Sequence, residues 1–340
     1  MKILAVIPCL NEAAHLPALL RQMLADPTID RIVVADGGSD DGSRAIVSEF
    51  ALDDRVILLD NPARIQSTGV NLAVREYGQR HDWLLRIDAH CLYPDNYATG
   101  LLEAAKAHNA TAVVVPMVTE GRQGFQLAAA AAQNSVLGTG GSAHRHVGQG
   151  RFVEHGHHAL MDMDLFRKVG GYCEAMPCNE DAELDHRQIA AGGSIWLEPS
   201  LALTYFPRST VGALWRQYRR YGRGRARNLR RHRMRPRLRQ LAPLAVLLVI
   251  VLLAFSLLHP VLAVPALMWA GLCLSLGLVV GLRAGGGWAV LAGVAAMTMQ
   301  LAWATGFLLE WLGNPASASP RYGFAPQAAG SAILDVAQRH

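Results

Sequence analysis

Charge is scarce in this chain, and cysteine is both scarce and scattered. Only 17% of its 340 residues are Asp, Glu, Lys or Arg, against about 25% in an average soluble domain. Hydrophobic residues make up 51%. That balance excludes a disordered chain, which needs low hydrophobicity and high net charge. It also points to a segment that sits outside water. The length allows two domains, or one large domain with an appendage. The five cysteines, Cys9, Cys91, Cys173, Cys178 and Cys273, include no C-x-x-C pair. So odd and dispersed a set favours neither a disulfide framework nor a zinc cage. Five unpaired thiols suit a reducing compartment. No secretory leader is legible either: the apolar run Ile3–Leu10 is short, broken by Pro8 and followed by Asn11-Glu12. Residues 1 to about 215 are therefore expected in the cytoplasm.

What charge there is has been segregated. The formal net charge is +5, yet Arg216–Arg239 holds twelve arginines and no acid, so the remainder of the chain carries −7. From Leu241 to Leu282 there is no Asp, Glu, Lys or Arg, and the only histidine is His259. Arg283 and Gly285 to Gly287 interrupt, and a second apolar run, Trp288–Leu309, is uncharged until Glu310. A membrane-spanning helix needs about 20 apolar residues. These runs predict about three spans, at 241–258, 261–282 and 288–311. Helices lying flat in the membrane interface, or a buried helical hairpin, are the alternatives; the lack of a polar face argues against the hairpin. The arginine segment, 216–240, directly precedes the first run, which favours the positive-inside reading and attraction to anionic headgroups over nucleic-acid binding. The stretch 313–340 is rich in Pro, Ala and Ser and reads as a loose tail.

The first half alternates in period. Lys2–Ile7, Arg31–Ala35, Arg55–Leu59 and Trp83–Asp88 read as short buried strands. Ala13–Ala25, Ser43–Phe50 and Ser67–Tyr77 read as the helices between them. Such alternation implies right-handed β-α-β units and a mostly parallel sheet flanked by helices. Ligands then bind beyond the carboxyl ends of the strands. Three acidic loops fall there: Pro8-Cys9-Leu10-Asn11-Glu12, Asp36-Gly37-Gly38-Ser39-Asp40-Asp41-Gly42-Ser43 and Asp88-Ala89-His90.

Each loop has a plain and a chemical reading. Asp36 followed by glycines can accept hydrogen bonds from a base or ribose. Taken alone, it is more simply a turn in which Ser39 or Asp41 caps the next helix. Asp88 and His90 are two residues apart in extended chain, so their side chains project to one side. A carboxylate and an imidazole suit Mn²⁺, and Mg²⁺ accepts the carboxylate. Glu180-Asp181 fits the start of a helix, where acids are favoured by the dipole; either is also placed to act as a general base. His144, His146, His155, His157 and His158 lack zinc-protease spacing and read as polar site lining.

In that order these motifs resemble the family 2 glycosyltransferases, inverting enzymes of GT-A fold, over about residues 1–225. Pro8-x-x-Asn11-Glu12 resembles the family's opening P-x-x-N-E. Asp36-Gly37-Gly38-Ser39 resembles its D-D-G-S, with Gly37 for the second Asp. Asp88-Ala89-His90 stands where the family has the D-x-D metal motif. Glu180-Asp181 with Leu184 and Arg187 is similar to E-D-x-x-L-x-x-R, and Gln217 with Arg220 and Tyr221 to Q-x-x-R-W, Tyr replacing Trp. The D-A-H variant, the His157-His158 segment and the apolar C-terminal region resemble the bacterial exopolysaccharide glycosyltransferases of the succinoglycan type.

The resemblance implies a GT-A domain at 1–215. It implies transfer of a sugar, glucose in that branch, from a UDP-sugar to a lipid-diphosphate-linked saccharide, with a β-linkage formed. Pro8, Asn11, Glu12, Asp36, Arg64 and Asp88 would hold the nucleotide. Asp88 with His90 would hold a divalent cation, Mn²⁺ or Mg²⁺. Asp181, beside Glu180, would be the base. His157, His158, Gln217, Arg220 and Tyr221 would line the acceptor side or close over it. Membrane lipids would be a further partner, nucleic acid would not, and the enzyme would work at the bacterial inner membrane with its catalytic domain in the cytoplasm. The competing readings are a processive polysaccharide synthase, a nucleotidyltransferase, and a non-catalytic membrane protein that binds a sugar nucleotide.

Overall fold

The computed structural model describes residues 1–140, 148–176, 178–236, 238–313 and 321–325, with backbone alone for His158, Ala159, Leu238 and Arg239. His144 and His146, the His158 side chain and most of the segment 313–340 lie outside the described residues. Among the described residues, 1–117, 148–204 and 321–325 form one compact unit, and 118–140 and 205–313 form a second.

The first unit opens with β1 (Ile3–Cys9), α1 (Leu16–Ala25), β2 (Ile29–Asp36), α2 (Ser43–Phe50), β3 (Val56–Asp60), α3 (Gln66–Tyr77) and β4 (Trp83–Arg86). It continues with β5 (Cys91–Leu92), α4 (Tyr97–His108) and β6 (Ala112–Val115). The strand β7 (Met117–Thr119) then leads to α5 (Phe125–Gln133) and α6 (Val136–Thr139) of the second unit. Back in the first unit come β8 (Arg151–Val153), β9 (His157–Asp162), α7 (Met163–Lys168), α8 (Glu180–Ala190) and β10 (Ile195–Leu197). After β11 (Leu203–Tyr205) the second unit adds α9 (Val211–Arg231), α10 (Leu238–Ala254), α11 (Val264–Arg283) and α12 (Ala292–Leu312).

Eight strands form one sheet in the order β3-β2-β1-β4-β9-β6-β10-β8. The β1–β2, β2–β3, β1–β4 and β6–β10 pairs are parallel. Strand β9 enters antiparallel between β4 and β6, and β8 runs antiparallel at the edge. Every residue of β1 is buried, as a strand with helices on both faces should be. Pro8 lacks an N–H yet sits inside this central strand. It is tolerated because pairing with β4 ends at Val6↔Arg86, before Pro8 would have to donate. Leu16, Leu19, Leu20 and Met23 are the buried side chains of α1, spaced as one helix face.

The second unit is held by small residues. Ala128, Ala129, Ala131 and Ala132 of α5 share a core with Ala292, Ala295, Ala296, Met299 and Ala302 of α12 and with Leu214 and Tyr218 of α9. A methyl group on Gly222 would collide with the Trp303 carbonyl, and one on Gly306 with the Arg219 carbonyl, so α9 and α12 cross backbone against backbone. Gly277 and Gly281 give α11 the same close approach to Gly293 and Ala289. Glu310 of α12 pairs with Arg223 at 3.2 Å and Arg227 at 2.9 Å, and Arg230 donates to the Glu310 carbonyl at 2.9 Å.

Two helical stretches, Pro260–Arg283 and Gly287–Leu312, are long and apolar enough to cross a membrane. They coincide with the second and third of the three expected spans among the described residues. The first apolar run forms a helix whose apolar part, Gln240–Ala254, is too short. The chain leaves it through turns, in which Phe255, Ser256 and Leu258 donate to carbonyls three residues back.

Candidate active site

The loops after β1 and β2 are sewn to each other. Asn11 takes the left-handed conformation, with φ 58°. Its backbone N–H donates to Ser39 Oγ at 2.9 Å, and its side-chain oxygen accepts from the Asp40 N–H at 3.0 Å. Glu12 N–H donates to Ser43 Oγ and Ala13 N–H to Asp41 Oδ2, both at 2.9 Å. The expected helix cap is therefore not formed by Ser39 or Asp41: the N-cap position of α2 is Gly42, and no side chain caps it. Ser39 binds the neighbouring loop instead, while Asp41 divides its carboxylate, giving Oδ2 to that loop and Oδ1 to the N–H of Ser43, the first residue of α2, at 2.9 Å.

Asp36 ends β2 with a relative exposure of 1%. Its carboxylate accepts from the Gly38 N–H at 3.0 Å, the Ser39 N–H at 2.9 Å and Arg44 Nη1 at 3.3 Å. Burial pushes this carboxyl up, but the hydrogen bonds from Ser39, Gly38 and Arg44 outweigh it and hold the group below the ordinary carboxylate range. Arg64, exposed and with φ 57°, stands after β3 with its guanidinium beside Gly38. A cation thus overlooks the Asp36 loop.

The loop after β4 meets β9 and the start of α8. Asp88 lies 3.3 Å from His157 Nε2 and 3.5 Å from Arg86 Nη2. Burial raises its carboxyl, but Arg86 and then His157 and His90 overcome this and hold it well below the usual range. Glu12 commits one oxygen to His15 Nδ1 at 2.8 Å and the other to His90 Nδ1 at 3.0 Å. It is thereby engaged by imidazoles where a nucleotide contact was expected. Burial raises the Glu12 carboxyl, and the two histidines bring it below its ordinary value.

The feature that sequence reasoning missed is Arg86. It is 5% exposed, on the last residue of β4, and is surrounded by carboxylates. Nη1 donates to Asp181 Oδ1 at 2.5 Å. Nη2 lies 3.3 Å from Glu180 Oε1 and 3.2 Å from Gln66 Oε1. The guanidinium also sits 5.5 Å from the Tyr172 ring centroid. Tyr172 OH donates to the same Asp181 oxygen at 2.9 Å. One oxygen of Asp181 is thus fixed by two donors, and among the described residues Oδ2 has no hydrogen-bond partner. Burial and the neighbouring Asp181 charge push the Glu180 carboxyl up, against the pull of Arg86. The signal for Arg86 was in the sequence: a lone charge inside the apolar strand Trp83-Leu84-Leu85-Arg86-Ile87.

A divalent cation fits this edge. Asp88 Oδ1 faces the Arg86 guanidinium in an ion pair at 3.5 Å but accepts no hydrogen bond, so this carboxylate oxygen keeps unfilled lone-pair capacity. A metal-ligating imidazole commonly gives its other ring nitrogen to a carboxylate, the relation His90 has with Glu12. Among the described residues there is no cage of three or more His, Cys, Asp or Glu. Mg²⁺-type ions need none, since they keep waters and take phosphate oxygens with one or two protein ligands.

Gln217, Arg220 and Tyr221 lie on α9 in the second unit. There the Gln217 amide donates to Tyr205 OH at 2.8 Å and Tyr221 OH at 3.0 Å. Asp36, Arg64, Asp88, His90, His157, Glu180 and Asp181 all belong to the first unit.

The comparisons with known proteins agree with one another. The profile of glycosyl transferase family 2 matches residues 4–170. The chain is 48% identical over 312 residues to the succinoglycan biosynthesis protein ExoA of Rhizobium meliloti (strain 1021), covering 91% of this chain and 94% of that protein. Its fold is similar to that of the mannosyltransferase PcManGT from Pyrobaculum calidifontis, solved in complex with GDP-Man and Mn²⁺, with a TM-score of 0.55 and 16% identity over 91% of this chain and 87% of that one. A mostly parallel sheet with acidic loops at its carboxyl edge, a matching profile and a full-length relative together place the chain: it belongs to glycosyl transferase family 2, with a GT-A fold.

Proposed function

We propose that this glycosyltransferase moves a sugar, glucose, from its UDP donor to a lipid-diphosphate-linked saccharide during exopolysaccharide synthesis. The observation that carries this reading is Asp181: one oxygen anchored by Arg86 and Tyr172, the other open, beside an edge that also holds Asp36 and Asp88. Asp36 and Asn11 shape the nucleotide loop, and Arg64 overlooks it to meet phosphate. Asp88 and His90 would hold Mn²⁺ or Mg²⁺, which supplies Lewis-acid neutralisation of the departing diphosphate. Asp181 Oδ2 takes the proton of the acceptor hydroxyl as that oxygen bonds to the anomeric carbon. The bond from that carbon to the UDP oxygen breaks on the opposite face. Configuration inverts, and an α-linked donor yields a β-glycoside. Asp88 and Glu180 keep Arg86 from acting as an unpaired buried cation, and Arg86 holds Asp181 in its orientation.

The relative's name, a succinoglycan biosynthesis protein, supports an exopolysaccharide role. The two apolar helices and the exposed Arg216, Arg219, Arg220 and Arg223 of α9 support a place at the inner membrane, against anionic lipid, with the catalytic unit in the cytoplasm. The test is to incubate washed membranes carrying the enzyme with labelled UDP-sugars and extracted lipid-linked acceptors, with and without EDTA. Label should enter the lipid fraction from UDP-glucose and fall away with EDTA. Label that stays in free sugar with every acceptor would refute the lipid-linked reading. Full activity after EDTA would refute the cation.

A further inference from the structure

We infer that the segment Arg321–Ala325 is a working part of the catalytic unit: it positions Tyr172 and, through it, the base Asp181. This rests on the assignment of Asp181 as base.

Composition made this stretch a loose tail, but the described part of it is held on every side. The Glu174 N–H donates to the Arg321 carbonyl at 2.7 Å, and the Phe324 N–H donates to the Gly170 carbonyl at 3.1 Å. Between them Cys173 and Tyr322 form an antiparallel bridge. Arg321–Phe324 therefore lies alongside the turn Gly170–Glu174 as a short added strand. Side chains lock it there. The Arg187 guanidinium covers the Tyr322 ring at 4.7 Å. Arg75 Nη2 donates to the Gly323 carbonyl at 2.9 Å. Phe324 meets Phe166 edge-on, with centroids 6.2 Å apart.

The turn it covers needs such support. Gly170 and Gly171 have φ values of 93° and 70°, a conformation that glycine adopts freely but is not confined to. Contacts from outside must select it. Arg187 supplies one, donating to the Gly171 carbonyl at 2.7 Å. Asn71 supplies another. Fully buried, it accepts from the Tyr172 N–H and donates to the Tyr172 carbonyl, both at 2.9 Å. Gly323 presses directly on Asn71: any side chain at 323 would collide with the amide. Tyr172 stands against Phe166, the ring that Phe324 also touches, and its hydroxyl reaches Asp181. The path from the segment to the base is thus continuous in hydrogen bonds and ring contacts. Misplacing a catalytic group by about 1 Å can cost about 10²-fold in rate.

The test uses the full chain in detergent. Gly323→Val, and Tyr322→Ala with Phe324→Ala, should lower kcat about 10- to 100-fold while UDP affinity stays unchanged. Tyr172→Phe removes only the hydroxyl and should reproduce much of the loss. Combined with the segment variants it should add little, because both act through one contact. Wild-type kcat in Gly323→Val, parallel loss of UDP binding, or additive losses with Tyr172→Phe would each overturn the inference. Asp181→Asn in the same assay separates the two readings. If it is active, the base assignment fails. If it is inactive while the segment variants behave as wild type, only the positioning role fails.

Discussion

The two units solve opposite solvation problems. In the first, apolar strands are buried and the charges gather at one edge, where Arg86 is ringed by Asp181, Glu180 and Asp88. In the second, small residues fill the interior and the large apolar side chains face outward: Leu257 is 95% exposed and Met268 is 70% exposed. Its inner polar groups act as clasps between helices. Glu310 gathers arginines from α9, and Gln300 accepts from the Trp269 indole at 2.9 Å while donating to the Leu137 carbonyl at 3.1 Å. Such an arrangement suits a surrounding as apolar as the side chains themselves, where helix association depends on close packing and on satisfied polar groups. Polarity in the first unit is chemistry, and in the second it is carpentry.

Substitutions should break the two units differently. The largest effect is expected from Asp181→Asn, which keeps an acceptor oxygen for Arg86 and Tyr172 but removes the proposed base. Transfer should fall about 10²–10⁴-fold with UDP binding retained, as measured by initial rates and by calorimetry. Next, Gly306→Val forces a branched side chain onto the Arg219 carbonyl. Overpacking of this kind costs about 1–3 kcal/mol or more. Detergent melting should fall, while UDP binding to the first unit survives in the fraction that remains folded. Glu310→Gln should be milder, about 1–3 kcal/mol, between the values for exposed and buried pairs, and it should be read as a lower melting temperature with normal UDP affinity.

The smallest effect concerns Glu180. Its carboxyl is raised in the fold, so the folded state binds that proton more tightly than the unfolded chain. The stability this contributes is present below the unfolded value and is lost as pH rises through the folded one. Glu180→Gln should therefore melt a few degrees higher than wild type near neutral pH, since 1 kcal/mol moves a large domain by about 2–4 °C. The gap should close on acidification. A variant that melts lower at every pH would show that pairing with Arg86 outweighs the desolvation of Glu180.

The contrast between units also explains what was legible in the sequence. The helix Ser43–Phe50 was expected and found with the same bounds, because period and punctuation agree there. Strands shifted by a residue or two at their ends. Arg86 was passed over because a strand pattern registers hydrophobicity, and one cation in five residues looks like noise until the carboxylates around it are seen. The first apolar run is shorter as a helix than as a sequence for a different reason: hydropathy counts residues, but turns at Phe255–Leu258 take the end of the run out of the helix. Segment 321–325 was illegible because nothing local marks a stretch whose order comes entirely from what it touches. The roles of His144 and His146 lie outside the described residues.

The docked segment has a consequence in time. Ribosomes deliver a chain in order at about 5–20 residues per second, and early domains fold first. The sheet of the first unit is complete once β10 has been made, but the strand that backs the Gly170–Glu174 turn comes only after all of α9 to α12. That leaves an interval on the order of ten seconds in which the loops after β1 and β2 exist and the proposed base is unsupported. Under the proposed function, a nascent enzyme of this design would hold a sugar nucleotide before it could spend one, and the delay would end only when its apolar helices had been synthesised.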